Sequence, residues 1–329
     1  MAMTSTIRAR NWRVAALLWT LCFALFYSLF QMGLRNSSSS SSSSEAFDAY
    51  VERSMRLYDK MEQDIEEKGP VFLKLGETTQ SLSLSDLFTL KDGKISPVLR
   101  VANPPVRANV LYLNTKYSVP ISDAVKSVFS PYFDNTIWFQ DSKLYHFSMF
   151  HASHHIASVS ASEDEVEAEA AAVKAVANGM CPLEVVLDRV ILTSTGVLLG
   201  CWKVANAVSG DDPITIRSKL RSALPRAPEK QLYDAAILHT SLARLLGPPK
   251  SPNPTETSEH MQLLRELVTR LNTQIRGFKA VVSELWNVEE HDVLALALGG
   301  RMKLRAWRFQ RRMASWHNKT DGVKDKTKV

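Results

Sequence analysis

The chain has 329 residues, of which 45% are hydrophobic, so it is long enough for one large or two small packed domains. The net charge of +6 is uneven, because residues 301–329 alone carry ten Lys or Arg and two Asp. The positive charge therefore belongs to the C-terminal tail and does not indicate a nucleic-acid-binding surface on the main domain. Three cysteines exclude a disulfide framework; Cys181 and Cys201 could pair in an oxidising compartment or stay reduced and half-buried.

The N-terminal segment predicts a membrane anchor. Residues 1–13 are short and basic, and residues 14–34 carry no charge over a length that spans a bilayer as a helix. A cleaved signal peptide is the alternative, but the apolar run continues to Phe30 and ends without a small-residue cleavage site. By the positive-inside rule the arginines place residues 1–13 in the cytosol. We therefore expect a single-pass protein of the endoplasmic reticulum or Golgi membrane, with a lumenal main domain.

Residues 35–68 predict a spacer followed by a stem. Eight consecutive serines are typical of a flexible linker, since they cannot bury apolar surface. The charged segment 45–68 has apolar residues at helical spacing, which predicts an amphipathic stem helix that ends before Gly69. Residues 69–104 alternate short apolar runs around a turn signal at Asp92-Gly93, and predict a small β-rich accessory segment.

Residues 105–298 predict a domain in which strands and helices alternate. The strand patterns are short apolar runs, and the helical patterns combine capping residues with apolar residues at helical spacing. Strands are expected over 106–113, within 136–150, and over 183–187, 190–192, 197–204, 235–242 and 277–288; helices are expected over 121–132, 162–177, 214–224 and 258–274. Residues 299–329 form a basic tail, in which 301–313 predict an amphipathic helix.

Two of the predicted strands carry the same polar pattern. His146 and Ser148 lie two residues apart in one apolar run, and His239 and Ser241 repeat this spacing 93 residues later. Because side chains i and i+2 of a strand share a face, each strand offers an imidazole and a hydroxyl on one side. Two facing histidines can act as general base and general acid, while the hydroxyls and Arg244 hold an anion. This set of groups fits the opening of a cyclic phosphodiester, and needs no metal ion.

The two motifs resemble those of the 2H phosphoesterase superfamily, which includes 2'-5' RNA ligases and cyclic nucleotide phosphodiesterases. The similarity rests on the two His-x-Ser triplets, their separation, the Leu-Ala-Arg continuation of the second, and the order of elements over about residues 105–290. The chain departs from the family pattern at Thr240, where an aliphatic residue is preferred, and in its two serines, where threonine is commoner. The resemblance implies an α+β fold with two pseudo-symmetric lobes of antiparallel sheet, outer helices and a central cleft.

The expected site follows from the motifs and the resemblance together. His146 and His239 would be the catalytic pair, and the expected substrate is a nucleotide or RNA-end cyclic phosphate, without cofactor or metal. The expected phosphate-binding residues are Ser148, Ser241 and Arg244, and the candidates for base stacking are Tyr145 and Trp138, whose other interpretation is strand core. His151, His154 and His155 follow the first motif without an acidic or cysteine partner, and predict a polar loop rather than a metal site.

Two other functions are compatible with the sequence. A non-catalytic nucleotide- or RNA-binding module could share the fold, but would have no need for a pair of proton carriers. A lumenal glycosyltransferase would match the predicted anchor and stem. Such enzymes usually carry an Asp-x-Asp metal site, and the nearest candidate, Glu163-Asp164-Glu165, fits a helix start better.

Overall fold

The computed structural model describes residues 45–74, 82–91, 94–133, 135–205, 211–250 and 257–310. The chain divides into two compact units, residues 1–49 and residues 50–329. The predicted cytosolic tail, anchor and serine run lie outside the described residues. Within the described ranges, no helix combines the length and the apolar character needed to cross a membrane.

The helices and strands alternate along the chain much as the sequence predicts. In chain order the helices are α1 (45–68), α2 (Leu84–Leu87), α3 (Thr115–Phe129), α4 (Glu163–Asn178), α5 (Pro213–Ala223), α6 (Thr257–Ile275) and α7 (Ala295–Leu298). The strands are β1 (Phe88–Lys91), β2 (Lys94–Pro97), β3 (Val101–Tyr112), β4 (Ile137–Phe139), β5 (His146–Ser153), β6 (Leu183–Leu192), β7 (Val197–Val204), β8 (His239–Leu245), β9 (Lys279–Val282), β10 (Glu284–Asp292) and β11 (Met302–Arg308).

The strands form two antiparallel sheets and a separate hairpin, β1-β2. The first sheet has the order β11-β10-β3-β5 and the second has the order β4-β8-β7-β6-β9. Helices α4 and α5 pack on the first sheet, whereas α3 and α6 pack on the second. Strands β5 and β8, which each begin at a motif histidine, contact each other between the sheets. This is the expected α+β arrangement of two antiparallel lobes with outer helices.

The helices begin where local sequence favours a helix start. Ser162 and Glu165 form a capping box at the start of α4, and three acidic side chains in its first turn interact favourably with the helix dipole. The side chain of Asp212 accepts a hydrogen bond from the Thr215 N–H and so caps α5, whose first residue is Pro213. These caps fix the residue at which each helix begins, and the helix then packs on the sheet beneath it.

Helix α1 is part of the folded unit from residue 50 onward and is not a free-standing stem. The Tyr58 ring is fully buried with residues of the second sheet, including Ile191 and Cys201. Its hydroxyl lies 2.7 Å from the Trp202 carbonyl oxygen and accepts a hydrogen bond from the Leu238 N–H. The helix is therefore attached directly beside His239.

Two predicted elements differ from the structure. The single strand expected over 277–288 is two strands, β9 in the second sheet and β10 in the first, with Ser283 between them. Both strands are extended and adjoin at Ser283, so the sequence pattern gives no sign of the change of sheet. The helix expected over 301–313 is wrong, because residues 302–308 form the edge strand β11, paired with β10 along its length. Lys303 and Arg308 are exposed on this strand, and charged side chains suit a sheet edge.

The remaining predictions from the sequence differ from the structure only in detail. Strand β6 unites the two strands expected over 183–192, and a bulge at Asp188 explains the break in their apolar pattern. The helix expected over 121–132 is α3, which begins six residues earlier at Thr115, so that Pro120 lies inside it. Cys181 and Cys201 are both buried free thiols. The expected hairpin of the accessory segment is present, although the turn at residues 92–93 lies outside the described ranges.

Candidate active site

One cavity brings together the five residues predicted to bind and cleave the substrate. His146 and Ser148 come from β5, and His239, Ser241 and Arg244 come from β8. All five side chains line a cavity of about 60 Å³ between the sheets. These five side chains therefore place two imidazoles, two hydroxyls and one guanidinium around the same space.

A β-bulge follows the serine in each motif. The pairing of β5 with β3 shifts at Met149, and the pairing of β8 with β7 shifts at Leu242. Each bulge inserts one residue, so the side chain five positions after each histidine returns to the cavity face. These side chains are His151 in the first motif and Arg244 in the second, and both line the cavity. The prediction that His151 belongs to a polar loop is therefore wrong.

His146 has a defined tautomer. Its Nδ1 atom lies 2.7 Å from the carbonyl oxygen of Leu144, and only a protonated Nδ1 can donate to that acceptor. The neutral ring then carries its lone pair on Nε2. Burial lowers the pKa of His146, although the Leu144 carbonyl opposes the shift. At neutral pH the ring can therefore accept a proton at Nε2.

His239 has no such fixed partner. Its Nδ1 atom is buried without a hydrogen bond to any described residue, and the side chain is 9% exposed. The ring packs edge-on against Tyr233, with 4.7 Å between the ring centroids. Burial lowers the pKa of His239 to about 3, and the positive charge of Arg217 and the nearby His146 add to this shift. An anion in the cavity would oppose these causes and favour the protonated ring.

Arg217 connects the two histidine strands and was not predicted from the sequence. From α5, its guanidinium donates to the carbonyls of Ser148 and Met149 on β5, both at 2.9 Å. It also donates to the carbonyls of Ala235 and Ile237 ahead of β8, at 2.6 and 2.8 Å. Arg217 is 6% exposed, and burial lowers its pKa to about 10, so it remains charged at neutral pH. No motif distinguishes it from the ordinary arginines of amphipathic helices.

Arg244 is a second cation without a carboxylate partner. No described acidic side chain forms an ion pair with it, and its Nη1 atom is buried without a hydrogen-bond partner among the described residues. Burial lowers the pKa of its guanidinium. An unpaired buried charge is costly, and a bound anion would supply the missing partner. The cavity is therefore electrostatically suited to an anionic group.

Polar residues outside the motifs complete the wall of the cavity. The Glu290 carboxylate accepts a hydrogen bond of 2.7 Å from the Leu296 N–H, and the Gln140 amide donates one of 2.8 Å to the Leu296 carbonyl. Burial raises the pKa of Glu290 to about 7, against the opposing effect of the Leu296 N–H. Gln140 directly follows β4 of the second sheet and Glu290 lies on β10 of the first, and together they hold the Leu294–Ala297 wall through Leu296. The sequence signal for Glu290 is its position on β10, where it continues the alternation of Trp286 and Val288.

Neither aromatic residue predicted for base stacking lines the cavity. Tyr145 is 1% exposed and belongs to the main apolar core, because it precedes His146 and points to the other side of the chain. The ring of Trp138 packs against Phe88, with 5.6 Å between centroids, and its Nε1 donates to the Ala297 carbonyl. The strand-core interpretation holds for Tyr145, while Trp138 packs beside the cavity wall.

His154, which follows the first motif, makes structural contacts. His154 is buried, with Nε2 positioned to donate to the Lys230 carbonyl and Nδ1 accepting from the Ala157 N–H, both at 3.1 Å. Its two nitrogens are therefore occupied. Among the residues that the structure describes, no three His, Cys, Asp or Glu side chains are arranged to hold a metal ion.

No protein-family model and no curated protein sequence matches the chain. Among solved structures, a conserved protein of unknown function from Agrobacterium tumefaciens str. C58 is 11% identical; the match covers 72% of this chain and 97% of that one, with a TM-score of 0.44. TT0787 of Thermus thermophilus is also 11% identical, with 62% and 98% coverage and a TM-score of 0.41. Escherichia coli LigT, solved with NADP+, is 12% identical, with 65% and 100% coverage and a TM-score of 0.36. Sequence identities of 11–12% and TM-scores below 0.5 do not identify a function, so function has to be inferred from the cavity itself.

Proposed function

We propose that this protein is a 2H-type phosphoesterase that hydrolyses a 2',3'-cyclic phosphate or a related cyclic phosphodiester by acid–base catalysis with two histidines. One observation carries the proposal: His146, Ser148, His239, Ser241 and the unpaired Arg244 line a single cavity. General acid–base catalysis needs one proton acceptor and one proton donor on either side of the reacting phosphorus. Two histidines from separate strands can supply both roles.

The different surroundings of the two histidines favour different roles. His146 is the general base, because the Leu144 carbonyl holds the proton on Nδ1 and leaves Nε2 free to accept one from water. The water oxygen forms a bond to phosphorus while the bond from phosphorus to one ribose oxygen breaks. His239 is the general acid and gives a proton to that leaving oxygen. The anionic substrate favours protonation of His239, whose pKa is low in the empty protein.

The phosphate group is held by three other side chains of the cavity. Arg244 donates to one non-bridging oxygen and so gains the anionic partner that its buried Nη1 lacks. Ser148 and Ser241 donate to the non-bridging oxygens from opposite sheets. Charge on these oxygens grows as water attacks, and donors already held in position around them stabilise that charge strongly.

A hydrolysis assay tests this proposal. The full chain is incubated with 2',3'-cyclic nucleotides, and the nucleoside monophosphates formed are separated. We expect turnover by the natural sequence, loss of it in the double variant His146→Ala with His239→Ala, and retention in His154→Ala, which removes a buried histidine outside the cavity. Tight binding of the cyclic nucleotide without turnover would instead indicate the non-catalytic binding module.

We also propose that residues 14–34 anchor the protein in a secretory-pathway membrane, with the phosphoesterase domain in the lumen. Support comes from the 21 uncharged residues and from the three arginines that precede them. A glycosylation acceptor fused to the C-terminus should be modified in cells. A C-terminus that protease digests in intact microsomes would reverse the orientation.

A further inference from the structure

Glu290 places a carboxyl group in the wall of a cavity suited to anions. It lies on β10 and is 4% exposed, and the Leu296 N–H is the one hydrogen-bond donor to it among the described residues. No described Lys, Arg or His forms an ion pair with it. The acid–base mechanism above gives this carboxyl no role. A buried acidic group beside a phosphate site is unfavourable for binding, so its presence calls for an explanation.

The charges around the cavity are few. The titratable and charged side chains that line it are His146, His151, Tyr233, His239, Arg244 and Glu290. Burial is the largest cause that lowers the pKa of all three histidines, so these rings are neutral near neutral pH before a ligand binds. Arg217 lies behind the strands, and its donors are occupied by four backbone carbonyls. Arg244 is therefore the single full positive charge on the described wall of the cavity.

This balance suits one class of phosphate better than another. A phosphodiester carries one negative charge, which Arg244 can neutralise. A phosphomonoester has a second ionisation near pH 6, so at neutral pH it carries close to two charges. With the histidines in their neutral forms, the second charge meets no further cation on the described wall of the cavity. Above the pKa of Glu290, which is about 7, it is also repelled by the ionised carboxylate. Like charges repel each other strongly in a partly desolvated site, because little water is present to screen them.

We propose that Glu290 makes the cavity selective for singly charged phosphodiesters over doubly charged phosphomonoesters, and so promotes release of the monoester after hydrolysis. The proposal rests on the phosphoesterase function given above. Opening a cyclic diester with water produces a monoester at the same position, so substrate and product differ in charge while sharing most of their atoms. Repulsion by Glu290 weakens binding of the product more than binding of the substrate.

The test compares two small phosphates in direct binding measurements. Dimethyl phosphate remains a monoanion, whereas methyl phosphate becomes a dianion as the pH rises from about 5 to about 8. Binding to the full chain is followed by phosphorus NMR at about pH 6 and about pH 8. We expect the natural protein to lose affinity for methyl phosphate as the pH rises. Its affinity for dimethyl phosphate should fall much less, because only one negative charge meets Glu290 as that carboxyl ionises, with a pKa of about 7.

Variants of Glu290 separate charge from shape. Glu290→Gln keeps an oxygen for the Leu296 N–H, and should bind methyl phosphate about tenfold more tightly than the natural protein at about pH 8. Its affinity for dimethyl phosphate should change much less. Glu290→Asp keeps the charge and should keep the discrimination. Glu289→Gln is the matched control, since it removes one negative charge from the adjacent residue, which points to the opposite face of the sheet.

The outcomes distinguish this inference from the proposed function. If the protein hydrolyses cyclic phosphodiesters but Glu290→Gln and Glu289→Gln bind methyl phosphate equally, the selectivity proposal is wrong and the function stands. Methyl phosphate that binds the natural protein more tightly at higher pH overturns the proposal without any variant. A protein that binds neither phosphate and hydrolyses no cyclic diester contradicts both.

Discussion

The two histidine strands share a motif but differ in their surroundings. Each begins at its histidine, carries a serine two residues later, and then has a bulge. However, His146 is fixed by the Leu144 carbonyl, whereas Nδ1 of His239 has no hydrogen-bond partner in the described structure. The side chain that follows each bulge is His151 in one strand and Arg244 in the other. A repeated sequence pattern can therefore supply two groups of the same kind, while the tertiary contacts give them different chemistry.

The largest expected effect comes from removing either histidine. His146→Ala and His239→Ala should each lower kcat by about 10²–10⁴-fold, the usual contribution of a general acid or base. The double variant should lose little more than the worse single variant, because groups that act in one step are not additive. The measurement is steady-state hydrolysis of 2',3'-cyclic nucleotides. Full activity in both single variants would refute the two-histidine mechanism, whereas loss in one alone would show that the strands are functionally unequal.

Arg217 tests whether the two strands depend on a common connection. Arg217→Met leaves four buried carbonyls without this donor, and should lower the free energy of unfolding by about 3 kcal/mol. Arg221→Met, one helical turn later, is the control, because Arg221 donates to the carbonyls of Ala227 and Pro228 instead. Denaturant titration measures the difference.

The same variant gives a second readout that a purely structural role would not change. Removing the positive charge of Arg217 should raise the pKa of His239, for which Arg217 is the second cause of the shift. NMR titration of the His239 imidazole in Arg217→Met and Arg217→Lys distinguishes loss of the positive charge from loss of the hydrogen bonds. Lysine keeps the charge but cannot reach all four carbonyls. An unchanged His239 titration in Arg217→Met would contradict the electrostatic coupling.

Arg244 tests the difference between the positions that follow the two bulges. Arg244→Gln should lower kcat/KM by about 10²-fold, because it removes a donor to the phosphate oxygens. His151→Gln should cost far less, since the ring at this position is neutral and is assigned no phosphate contact. Equal losses in the two variants would mean that both positions bind the phosphate.

A separate expected effect is on stability in acid. The folded-state pKa of His239 is about 3, below the ordinary value of 6.5, so between these pH values the unfolded chain binds a proton that the folded protein does not. Stability should therefore fall as the pH drops from about 6.5 towards 3, by about 1.4 kcal/mol per pH unit for this residue. His239→Gln should reduce that slope. His291→Gln, away from the cavity, serves as the control, and thermal unfolding between about pH 4 and 7 provides the measurement.

Several parts of the site could be found from the sequence because they lie close together along the chain. The strand period of two places His146 with Ser148 and His239 with Ser241, and this holds whatever surrounds the strands. The residues after the bulges were harder to place. An unbroken alternation puts residue 151 on the face opposite His146, and only the shifted pairing at Met149 returns it to the cavity. Bulges depend on the partner strand, which local sequence does not specify.

The amino-acid sequence alone determined most helices and strands, the two motifs, and the pairing of each histidine with a serine, because these follow from local periodicity and capping. Tertiary structure decided the rest. It divided one predicted strand at Ser283 between two sheets, made residues 302–308 an edge strand, and brought Arg217 and Glu290 to the site from distant elements. It also buried Nδ1 of His239 without a hydrogen-bond partner among the described residues. Such contacts join residues far apart in the chain, and hydrogen bonding and desolvation act on the folded arrangement rather than on sequence neighbours.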